Sequence, residues 1–99
     1  MSTFEIVEGL NKCFESVYPN KGYFISRLKI DSNALSKVYK TYTIELWFNS
    51  KEKKELILSK SITSRVVTDN DRNTILRDIN ISLSELIFKN YNKIMNYGI

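Results

Sequence analysis

The sequence predicts an α+β protein: a helix, a three-stranded antiparallel sheet and a second helix (αβββα), with both helices on one face of the sheet. Three observations carry this. Residues 41–48 alternate strictly, with Tyr42, Ile44, Leu46 and Phe48 on one side and Thr41, Thr43, Glu45 and Trp47 on the other. A period of two marks a strand with one buried face. A polar turn at residues 49–54 then leads into a second run, with Leu56, Leu58 and Ile62 in phase, which reads as a hairpin. On either side of the strands, apolar residues recur at helical spacing.

The first helix opens on Ser2-Thr3-Phe4-Glu5, the pattern of a capping box. Ile6, Val7, Leu10, Cys13, Phe14 and Val17 form its apolar stripe, and Pro19 ends it. Gly9 weakens it by about 1 kcal/mol relative to alanine. Cys13 lies in the stripe and reads as a buried structural thiol. No histidine is present to activate it. Asn20-Lys21-Gly22 is a turn. Residues 23–30 form the first strand, with Phe24, Leu28 and Ile30 in phase, and residues 31–36 a loop. The second strand of the hairpin extends to Val66 or Val67, long enough to require a bulge or bend.

Thr68 or Asp69 caps the last helix, and its acidic first turn suits the helix dipole. Ile75, Leu76, Ile79, Leu83, Leu86, Ile87 and Ile94 share one face. A second stripe lies nearly opposite: Ile81, Phe88 and Met95, seven apart, with Tyr91 at its edge. A continuous helix over residues 69–97 would be about 40 Å long and overhang a strand of about 26 Å. A break near Asn80 is the competing reading, because Ser82-Leu83-Ser84-Glu85 is itself a capping box.

Ninety-nine residues make one domain, 1–99. One cysteine permits no internal disulfide, the first residues lack the pattern of a secretion signal, and no apolar run reaches bilayer length. The expectation is an intracellular, cytoplasmic protein without a membrane partner. The net charge of +4 is uneven, with ten Lys/Arg against four acids in residues 19–67. That balance favours an acidic partner or nucleic acid.

Catalysis has little to draw on. There is no histidine, a lone cysteine builds no zinc–thiolate cage, and Gly9, Gly22 and Gly98 form no phosphate loop. A non-enzymatic protein with no cofactor, metal or small-molecule substrate is expected. Two surfaces are candidates for partner binding. The sheet face opposite the helices carries Ile25, Thr41, Thr43, Glu45, Ile57, Ser59 and Thr63, and with them the candidate contact residues Tyr23, Arg27, Lys29, Trp47 and Arg65. Such a mixture suits a protein hot spot, and it also suits stacking of single-stranded nucleic acid. The second stripe of the last helix, Ile81, Phe88, Tyr91 and Met95, suits a protein partner or self-association into a homo-oligomer. Binding to protein, as an assembly subunit or an inhibitor, is the leading reading. A nucleic-acid-binding module is the alternative.

The element order resembles that of the double-stranded RNA-binding domain across most of the chain. That family places a basic, alanine-rich run at the start of its last helix, where this chain has Asp69-Asn70-Asp71-Arg72. The resemblance therefore carries no binding residues over. Residues 4–50 also resemble small phage tail-terminator proteins, through a helix ending near a proline and the aromatic-rich strand from Tyr42 to Phe48. The size and composition are similar to those of small phage inhibitors. These resemblances imply a phage-like, oligomeric or inhibitory protein of the host cytoplasm.

Overall fold

The computed structural model describes residues 3–33 and 36–98, with residues 33 and 98 described by their backbone alone. Helix α1 (Thr3–Val17) is followed by β1 (Tyr23–Asn33), β2 (Ser36–Asn49) and β3 (Lys54–Arg65). Helix α2 (Asp69–Lys89), a short α3 (Tyr91–Met95) and a 3₁₀ turn (Asn96–Gly98) follow. The strands form one antiparallel sheet in the order β1-β2-β3. The chain is thus αβββα, and the even-numbered face of the sheet receives both helices.

The alternation in β2 does what its period requires. Tyr42, Ile44, Leu46 and Phe48 are buried, and the last three join Val7, Leu10 and Phe14 of α1 with Ile79, Leu83 and Ile87 of α2 in one core. Phe14, Phe24 and Phe48 form an aromatic knot, with ring centroids 5.0 to 5.5 Å apart and Phe14 edge-on to the other two. The approach to β1 is tight. Asn20 takes a positive φ of 61°, and Gly22 has φ 149°. Any Cβ at Gly22 would meet the Phe48 ring at 2.4 Å.

Several expectations are corrected. Cys13 is exposed rather than buried. The apolar stripe of α1 is wider than its contact with the sheet, so Val7, Leu10 and Phe14 take the core and Val17 also faces solvent. Residues 31–33 and 36 are strand rather than loop; Ala34 and Leu35 lie outside the described residues, as does Ser2 of the expected first capping box. In β3 a bulge opposite Leu46 and Trp47 resets the phase. Leu58 and Ile62 keep the core face, whereas Leu56 pairs with Trp47 on the open face and Ile57 packs against the core.

The last helix runs without a break through Asn80 and ends at Lys89. Its start is a capping box, with Thr68 as cap and Asp71 reaching back. The break falls at Asn90, whose side-chain Nδ2 donates to the Leu86 carbonyl at 2.8 Å. This turn redirects α3, so that Ile94 is fully buried and Tyr97 reaches Phe48. Met95 also turns towards the core, which removes it from the stripe shared by Ile81 and Phe88. No overhang results, since β2 has 14 residues and α2 has 21.

Among the described residues, no helix is long and apolar enough to cross a membrane.

Candidate functional site

Among the described residues no helix lies over the odd-numbered face of the sheet, and cross-strand register divides that face into three zones. At one end, Ile25, Trp47 and Leu56 stand directly opposite one another across all three strands. Tyr23 adjoins them on β1, and its hydroxyl accepts from Asn49 at 3.5 Å. Ile25 and Leu56 are each 45 % exposed, Tyr23 is exposed and Trp47 is half-buried. The bulge in β3 puts Leu56 in this row; in the unbroken phase it would be core.

The middle zone is charged. Glu45 is only 6 % exposed, although it lies on the uncovered face. Trp47 Nε1 donates to its Oε1 at 3.2 Å, and Lys29 Nζ lies 3.6 Å from its Oε2. Arg27 sits directly across from it on β1 and Ser59 on β3. A carboxylate removed from water costs free energy unless it is paired and hydrogen-bonded, and this one is both. The indole is thereby tethered at its polar edge.

The far zone is a ladder of hydroxyls. Thr41 and Thr63 are bonded at 2.8 Å, as are Thr43 and Ser61. These side chains satisfy one another across the strands. Arg65 lies beyond them, opposite Tyr39. Along β2 that position is about 20 Å from Glu45, at the rise of an extended strand.

Of the residues expected to form this surface, Tyr23, Arg27, Lys29 and Trp47 are brought together, and Arg65 is not. Ile25 and Leu56 belong to it and were not among the expected site residues. Ile25 has the right phase for the open face; Leu56 has the wrong one, and only the bulge corrects it.

The second candidate surface is split. Ile81 and Phe88 face away from the sheet, opposite the buried Ile79, Leu83 and Ile87, and Phe88 is 86 % exposed. Tyr91 is exposed at the start of α3, while Met95 turns inward. A groove of about 930 Å³ also runs between α1 and β1, lined by Phe4, Val7, Asn11, Lys12, Tyr23 and Phe24 among others. Among the described residues no group of three or more acidic or cysteine side chains is placed to hold a metal ion. Comparison of the chain with protein-family models, with curated proteins and with solved structures finds no match in any of the three.

Proposed function

We propose that this protein is a non-enzymatic binding protein that recognises another protein through the apolar end of its uncovered sheet face. It acts in the cytoplasm, as an assembly subunit or as an inhibitor. The observation that carries the reading is the row Ile25–Trp47–Leu56, three large apolar side chains in line across three strands with no described element of this chain above them. Apolar groups this large are normally covered, and fully burying each is worth about 1.5–3 kcal/mol. An aromatic centre with a polar rim is also the composition of a binding hot spot. Here Trp47 is the centre, and Arg27, Lys29 and Glu45 form one side of the rim. The exposed Phe88 and Ile81 offer a second contact for the same kind of partner.

Affinity capture from a native lysate tests this. The wild-type chain retains a protein in stoichiometric yield, and Leu56→Asp and Trp47→Ala release it while the circular dichroism spectrum is unchanged. Equal retention by all three chains contradicts the reading. The alternative reading, nucleic acid, draws on Arg27 beside Tyr23 and Trp47. Against it, the carboxylate of Glu45 lies beside Arg27 and Lys29 and lowers the net positive charge there, and Arg65 stands far from the aromatics. Binding to generic DNA or RNA with a steep linear fall in log affinity against log salt would favour that alternative.

A further inference from the structure

The free edge of β1 carries an inference that goes beyond this reading and does not depend on it. The backbone N–H of Phe24 donates to Asn11 Oδ1 at 2.6 Å, and its carbonyl accepts from Asn11 Nδ2 at 2.9 Å. The backbone groups of Phe24 therefore point out of the sheet, away from β2. Backbone direction alternates along an antiparallel strand, so those of Ser26, Leu28, Ile30 and Ser32 point outward too. An edge of this length is a template for pairing. Asn11 blocks it at Phe24. Further along, there is no proline, and the register irregularity comes only after Ser32. On the helix side of this same stretch, Leu28 is 41 % and Ile30 50 % exposed, although both are in phase with the buried Phe24. Phe4, also exposed, borders the same groove as Leu28.

We propose that two copies of this chain pair antiparallel through β1, about a two-fold axis at Ile30, to form one continuous sheet with both helical layers on the same side. Charge selects the occupant and the register. A two-fold axis at Ser26 would need the backbone of Phe24, which Asn11 already holds. An axis at Leu28 would set Arg27 against Lys29 of the second copy twice, and like charges directly opposite repel. An axis at Arg27, Lys29 or Asp31 would set that charge against its own mate. An axis at Ile30 sets Lys29 against Asp31 of the second copy and Asp31 against Lys29. These are non-hydrogen-bonded pairs, where side chains approach most closely. Ile30 then meets its own symmetry mate, and Leu28 meets Ser32. About six backbone hydrogen bonds result, two from each of three outward pairs. The irregularity after Ser32 ends the run where this register ends it.

Sedimentation of the whole chain and cysteine cross-linking in a Cys13→Ser background test the proposal. Wild-type protein sediments as a dimer at micromolar concentration. In this register the Cα atoms at position 30 lie about 5.5 Å apart, within disulfide reach. Ile30→Cys therefore cross-links with itself, while Leu28→Cys or Ser32→Cys alone does so poorly. Mixing those two restores the cross-link. Asp31→Lys weakens the dimer about tenfold or more, since two attractive pairs become repulsive. A chain that stays monomeric at high concentration, with or without a bound extended peptide, overturns the proposal. So does equal cross-linking at 28, 30 and 32. Neither result bears on capture of a partner by the Trp47 row.

Discussion

At the scale of single residues, Gly22 is the position where the chain has least choice. Its positive φ requires glycine, and so does the Phe48 ring, which lies 2.4 Å from where a Cβ would stand. Gly22→Ala is expected to cost about 2–4 kcal/mol, from backbone strain and from overpacking against the aromatic knot. Urea denaturation at constant m-value measures it. Asp71 gives a prediction in pH. Backbone N–H groups of Thr68 and Val67 each donate to its carboxylate at 3.1 Å, which holds its pKa below the ordinary carboxylate value. A lowered folded-state pKa favours the fold above the ordinary carboxylate range, and that contribution is lost as pH falls through the lowered pKa. Asp71→Ala should therefore be less stable than wild type near neutral pH. The gap in melting temperature should narrow on acidification, and a gap independent of pH would mean that the charge plays no part.

At the scale of elements, neighbouring residues of α2 separate core from surface. Ile87 is buried and Phe88 is 86 % exposed. Ile87→Glu is expected to unfold the protein, because it buries an unpaired charge. Phe88→Glu should change stability by no more than about 0.5 kcal/mol, as surface substitutions do. Similar losses for both, read from thermal melts, would mean that Phe88 is covered by the chain itself. The same elements show which signals in the sequence were legible. The strict period in β2 and the 3.6 period in α2 each set a buried face, and the fold class follows from those faces. What escaped depended on contacts between elements. The bulge that moves Leu56 to the open face reflects pairing with β2, which no local pattern in β3 records. The helix break reads locally as Ser82-Leu83-Ser84-Glu85, yet it falls at Asn90, where redirecting the chain buries Ile94 in the core with Phe14, Phe24 and Phe48. Cys13 has the spacing of a core residue, but the way α1 seats on the sheet leaves it in solvent. Most of the candidate surface was legible from phase, which sets Ile25 on the open face with Trp47. Leu56 was not, because the bulge that exchanges it with Ile57 on that face appears only in the register with β2.

At the scale of the molecule, the helices cover one face of a sheet that is longer than the layer above it. The chain measures 45 × 26 × 18 Å along its principal axes. Two consequences follow from that mismatch. The even face runs out of cover at Leu28 and Ile30, and the odd face has none from the described part of this chain. The odd face is nevertheless ordered internally: the hydroxyls of Thr41, Thr43, Ser61 and Thr63 are paired, its buried carboxylate is bonded, and its apolar groups are gathered at one end. Trp47 stands in that apolar row and is the only tryptophan, so its fluorescence reports on this face alone. Quenching of Trp47 emission by a neutral quencher in the isolated protein is the most direct measurement. An uncovered binding face predicts emission on the red side of a buried indole, reached by the quencher in the free chain and shielded from it once a protein partner is bound. A blue emission that the quencher cannot reach in the isolated chain would mean that the face is already covered, and would contradict it.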